Sequence, residues 1–152
     1  MTAHNAAPAF ATIMLLTGIG IPILAALNSG LGVRLGSPMA ACVILFGIAL
    51  LIAFAGALVT GTLGHVKPSS DTPFHFYFGA LFMAFYVIAV TFIAPRFGVG
   101  NAIFFVLVGQ LISAAAIDHF GLFGAVQFPI DTKRIAGIAL MVAGVYLARR
   151  TG

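Results

Sequence analysis

The sequence predicts an all-α integral membrane protein, a bundle of five transmembrane helices in a single domain over residues 1–152. Three observations carry that expectation. Of the 152 residues, 62 % are hydrophobic and 7 % charged, and the mean hydropathy is +1.18. A soluble domain carries about 25 % charged residues, so this inventory cannot build a water-facing surface. The apolar residues also fall into five runs separated by short polar segments. A span needs about 20 residues, so five spans use up nearly the whole chain.

The same composition excludes other classes. The formal charge is +4, from seven Lys and Arg against three acidic residues. The basic residues stand singly or in pairs between apolar runs, so nucleic acid is not an expected partner. In a membrane they set orientation. The chain has no nucleophile elbow, no glycine-rich phosphate loop before a helix and no pair of cysteines. It is not expected to be an enzyme or to hold a cofactor. Cys42 is the single cysteine and reads as a small buried apolar residue. The first ten residues lack Lys and Arg, so the first apolar run reads as a retained helix and not as a secretory signal.

Helix 1 is expected over residues 8–31. Gly18, Gly20 and Pro22 cluster at its middle and read as a hinge, because Pro22 removes a backbone hydrogen bond and crowds the preceding turn. Asn28, near the far end, either lines a polar cavity or caps the helix at the interface. Arg34 is the first loop charge, and Pro38 suits the first turn of the next helix. Helix 2, residues 38–62, carries a stripe of small residues, Ala49, Ala53, Ala57 and Gly61. Such a stripe lets another backbone approach closely, from the same chain or from a partner.

A hydrophilic loop over residues 64–73 precedes helix 3, residues 74–94. The aromatic group at its start reads as an interfacial belt. Tyr86 lies deeper and either lines a cavity or packs with its hydroxyl on a neighbouring backbone. The segment 95–101 reads as a short turn that makes helices 3 and 4 antiparallel neighbours. Helix 4, residues 99–117, leads to Gln110, Ser113, Asp118 and His119. Gln110 and Asp118 are separated by about 80° around a helix. With Gly109, Ser113 and Ala114 they form a narrow polar face, expected to meet protein or water and not lipid. Segment 120–131 reads as lying in the interface. Helix 5, residues 134–148, is short. Ala139, Ala143 and Gly144 give it a close-packing face, and Arg149 and Arg150 stop it at the headgroups.

Asp118 and His119 form a candidate proton or ion site. The alternative is structural, with Asp118 accepting backbone N–H groups or pairing with Lys133 or Arg134. His65, His75 and His119 fall on one side, but their spacing matches no ligand pattern, so no metal is expected. With five spans, Lys67, Lys133 and Arg134 share the N-terminal side, and Arg34, Arg96, Arg149 and Arg150 the other. That near balance fits either insertion in both orientations or a cytoplasmic C-terminus fixed by the arginine pair.

Three stretches carry a resemblance: NSGLGVRLGSPMAACVILFGIALL, APRFGVGNAIFFVLVGQLISAAAIDHFGLFG and RIAGIALMVAGVYLARR. They resemble the small YdcZ-type family of inner-membrane exporters, grouped with the drug/metabolite transporter superfamily. Residues characteristic of that family fall on Asn28, Pro38, Pro95, Gln110, Asp118, His119 and Gly121. The resemblance implies a multi-pass protein of the prokaryotic inner (plasma) membrane, similar to half of a ten-helix transporter of the EamA type. It implies work as a pair among membrane lipids, as a homodimer or a heterodimer with a related half-size transporter. The four-helix multidrug members of the superfamily carry a glutamate in helix 1. This chain contains no glutamate, so cation-for-proton exchange by that route is not expected. The expected function is export of a small solute of unassigned chemistry. The other classes considered are a small dimeric channel and a non-transporting scaffold or accessory subunit.

Overall fold

The computed structural model describes residues 3–67 and 72–148, without the side chains of 3–7. The chain forms two compact units, Met1–Val99 and Gly100–Gly152. Arg149 and Arg150 lie outside the described residues, as does Asp71.

The first unit holds helices α1 (Ala3–Arg34), α2 (Pro38–Val59) and α3 (Gly79–Phe97). α1 runs 32 residues and stays helical through Pro22. At 1.5 Å per residue it is about 48 Å long, more than a hydrocarbon core of about 30 Å requires. Gly36 ends the turn after it with φ +65, and Ser37 N–H donates to the Gly32 carbonyl at 3.0 Å. Ser37 then caps α2, its hydroxyl accepting from Ala40 N–H at 3.2 Å, with Pro38 in the first turn. Serine caps and a proline at the first position are the usual way a helix starts.

α2 stops at Val59, short of the expected residue 62. Thr60 turns its hydroxyl back onto the Gly56 carbonyl at 2.8 Å, and Gly61 takes φ +68. Gly61 is therefore a terminator and not the last member of a helical stripe. The remaining stripe is also uncovered: Ala49 and Ala53 are exposed and Ala57 is half-buried. α2 packs instead through its first turns, where Ala41 and Cys42 are buried.

The aromatic segment Phe74–Phe78 forms a 3-10 turn that leads into α3. Pro95 lies inside α3, and the turn expected over residues 95–101 shrinks to Gly98, at φ +89. The Arg96 guanidinium folds back onto its own helix, donating to the Phe92 carbonyl at 2.7 Å and lying 4.4 Å from the Phe92 ring centre.

The three helices meet along stripes spaced three and four residues apart. α1 contributes Ala25, Asn28, Ser29 and Gly32, and α3 contributes Val87, Val90, Thr91 and Ala94. The largest side chains fully buried are Val87, Thr91 and Cys42. Without a hydrophobic effect to drive association in lipid, small residues that let backbones approach hold such a bundle together. Gly32 is the glycine with the least room: a Cβ there would stand 3.1 Å from the Pro38 Cα.

The second unit comprises α4 (Val99–Phe120) from its second residue on and α5 (Thr132–Ala148). α4 runs three residues past the expected end, so Asp118 and His119 belong to its last turn. The loop back is tight, with Gly121 at φ +60 and Phe123 at φ +56. α5 has 17 residues, about 25 Å, a little short of the hydrocarbon core. Among the described residues, four helices are long and apolar enough to cross a membrane, and α5 is shorter. Ala139, Ala143 and Gly144 lie on its exposed side. The partly buried face runs instead through Arg134, Gly137, Ile138, Val142 and Val145. The expected close-packing face of α5 is thus open.

Candidate functional site

Asn28 sits at the crossing of α1, α2 and α3 and is 4 % exposed. Its partners fix its orientation. Thr91 has one hydroxyl proton, which goes to the Val87 carbonyl at 2.7 Å. The Thr91 oxygen must therefore accept at its other side, and Asn28 Nδ2 donates to it at 2.6 Å. Nδ2 also lies 3.8 Å from Cys42 Sγ. One carboxamide thus joins three helices, and its amino group is committed to two of them. Its carbonyl oxygen takes no donor among the described residues. One position on, Ser29 Oγ donates to the Ala25 carbonyl within α1 at 2.5 Å. Leaving any of these buried groups unpaired would be costly in so apolar a setting.

A cavity of about 320 Å³ opens beside this knot, between α1 and α2. Leu24, Leu27 and Leu31 line one wall and Ile44, Leu45 and Ile48 the other, with Asn28 the single polar side chain. A second cavity, of about 300 Å³, lies where α1 turns into α2 beside the end of α3, bounded by Gly36, Pro38, Phe92 and Arg96 among others. Gly18 and Gly20, higher on α1, have open space where a Cβ would sit. Tyr86, on α3, is half-buried, and its hydroxyl is enclosed with no partner among the described residues.

On α4, Gly109, Gln110, Ser113 and Ala114 are all exposed. Gln110 stands near the middle of the helix, where lipid offers an amide no hydrogen bond. Neither Gln110 nor Ser113 has a hydrogen-bond partner among the described residues.

Asp118 and His119 sit in a different setting. Asp118 Oδ2 accepts from Arg134 Nη2 at 2.5 Å, each side chain about a third exposed. Phe128 N–H donates to the Asp118 carbonyl at 2.8 Å. The His119 carbonyl accepts from Gln127 Nε2, and His119 Nδ1 accepts from Ile130 N–H, both at 3.0 Å. That last bond uses the lone pair of Nδ1. Asp131 Oδ1 caps α5 by accepting from Arg134 N–H at 2.7 Å. The end of α4 is thereby stitched to the start of α5, and carbonyls its last turn leaves open are used. Among the described residues, no group of three or more His, Cys, Asp or Glu side chains is placed to hold a metal ion.

The structure therefore joins Asn28 to Cys42 and Thr91, and Asp118 and His119 to the loop after them. Thr91, Ser29 and Gly32 were not singled out from the sequence. Their signal was present in the spacing of Ala25, Asn28, Ser29 and Gly32, which repeats in Val87, Val90, Thr91 and Ala94.

Long apolar helices, a core of small residues and helix faces left uncovered define a class, the multi-pass membrane proteins. Within it, residues 9–147 match the family model described as "Putative inner membrane exporter, YdcZ". The chain belongs to this family, and its place is the inner membrane. No curated protein and no solved structure matches the chain.

Proposed function

We propose that the chain is a secondary exporter of a small solute that works as a pair, either with a second copy or with a related half-size chain. Polar groups of α4, Gln110 and Ser113, line the route, and Asn28 is a separate polar candidate on α1. The observation that carries this reading is the uncovered amide of Gln110 in the middle of α4. Hydrocarbon cannot satisfy it, so protein or a water-filled route must lie against it. The open faces of α2, through Ala49 and Ala53, and of α5, through Ala139, Ala143 and Gly144, offer further surface for close helix contact. Gly18 and Gly20, free of neighbours, leave α1 room to rock about Pro22.

Two measurements test the reading. A photo-cross-linking residue at position 110 is expected to give a protein dimer, whereas one at Leu51, exposed on the side of α2 opposite Ala53, gives lipid adducts. Lipid adducts alone at position 110 would argue against pairing there. Purified protein in liposomes is expected to show saturable flux that depends on solute across the membrane. Flux that never saturates would identify a channel instead, and no flux a non-transporting subunit.

A further inference from the structure

We propose that the α1–α2 cavity binds an uncharged molecule with an apolar body and one O–H or N–H donor, held by the side-chain oxygen of Asn28. The inference deepens the export reading, on which it rests for the claim that the bound molecule is cargo. Both N–H bonds of Asn28 are taken, toward Thr91 Oγ1 and Cys42 Sγ. What remains is an acceptor oxygen on a side chain 4 % exposed that lines the cavity. The two helices holding the amino group fix that oxygen in advance, so little reorganisation accompanies binding. No charged side chain lines the cavity. A cation would find no counter-charge there, and a solute with acceptors alone would face a lone pair. The volume, about 320 Å³, lies at the small end of the range for ligand pockets, about 300–1,000 Å³.

The test uses the full chain in nanodiscs and two probes of nearly equal shape, para-fluorophenol and para-fluoroanisole. The second has a methyl group where the first has its proton. Binding is read by fluorine NMR, with partition into empty nanodiscs subtracted. The phenol is expected to bind about tenfold more tightly than the anisole, the difference one hydrogen bond makes. Ile48→Phe fills the cavity and leaves the polar knot alone, and it is expected to abolish binding of both probes. Asn28→Ala is expected to equalise them where it folds. Equal affinities in the wild-type chain would overturn the proposal, since any apolar occupant, a lipid tail included, would then do as well. Undiminished phenol binding in Ile48→Phe would overturn it too. Tight, selective binding without export of the phenol from liposomes would confirm the site and overturn its role in transport.

Discussion

The amide nitrogen of Asn28 stands 2.6 Å from the hydroxyl oxygen of Thr91, 63 residues further along the chain. That one bond ties the stripe of α1 to the stripe of α3 at a place where neither side chain meets water. Thr91→Val keeps the shape and removes the acceptor. It is expected to cost about 1–2 kcal/mol, since the amino group keeps only a sulfur partner. Thr91→Ser is expected to retain most of the stability. Reversible unfolding in mixed micelles measures both, and equal stability of the two variants would show that the bond contributes nothing.

Gly32 and Gly30 lie two residues apart on α1 and should respond oppositely to alanine. A Cβ at Gly32 would meet the Pro38 Cα at 3.1 Å and the Thr91 methyl at 3.4 Å, while at Gly30 nothing lies within 4 Å. Gly32→Ala is expected to loosen the bundle, because the nearest obstacle is backbone. Gly30→Ala is expected to be neutral or stabilising, by up to about 1 kcal/mol from helix propensity. Melting temperatures in detergent that fall equally for both would contradict the close approach.

Gln110→Leu removes a polar group from the middle of α4 and replaces it with one that lipid accepts. Expression and melting temperature of the detergent-solubilised chain are expected to hold, while export falls at least about tenfold. Full export by this variant would exclude Gln110 from the route.

The pair Asp118 and Arg134 closes the α4–α5 loop and is about a third exposed on each side. At that exposure the pair contributes at most about 1 kcal/mol. Asp118→Asn and Arg134→Gln are each expected to lower stability by that much or less. The exchange Asp118→Arg with Arg134→Asp is expected to recover part of it. Export by Asp118→Asn is expected to keep the wild-type pH profile, because the carboxylate serves the Arg134 guanidinium in the first turn of α5. A shifted profile would assign the carboxylate a proton in the transport cycle.

A pair assembled from opposite insertions has its own signature. With five spans, three basic residues would face one side and four the other, which would leave little orientational bias. Reporters fused to the C-terminus are then expected on both faces of the membrane. Signal from the cytoplasmic face alone would require a parallel pair.

Membrane residence and four of the five expected apolar rods were legible because both follow from composition and run length. Helix ends were less so. Pro95 reads as a stop, yet α3 carries it to Phe97 and breaks only at Gly98. Gly61 looked like a fourth stripe member and is the residue that ends the turn after α2. The packing surfaces escaped for a related reason. Regular small residues such as Ala49, Ala53 and Ala57 can form a seam, but only a facing helix decides whether they do. The stripe that is buried, through Ala25, Asn28, Ser29 and Gly32, mixes polar with small residues, and of these the sequence marks only Asn28, as a cavity residue or a cap. Asn28 was recognised as needing a partner. Its partners on α2 and α3 come from distant parts of the chain, which spacing on a single helix cannot supply.

Cys42 carries the protein's single thiol, 1 % exposed and seated against Asn28. A maleimide reagent has no path to it while the three-helix crossing is shut. Cysteines introduced elsewhere can therefore be labelled without first removing the native one. Any labelling of Cys42 itself then becomes a clock, counting how often α1, α2 and α3 part in the working protein.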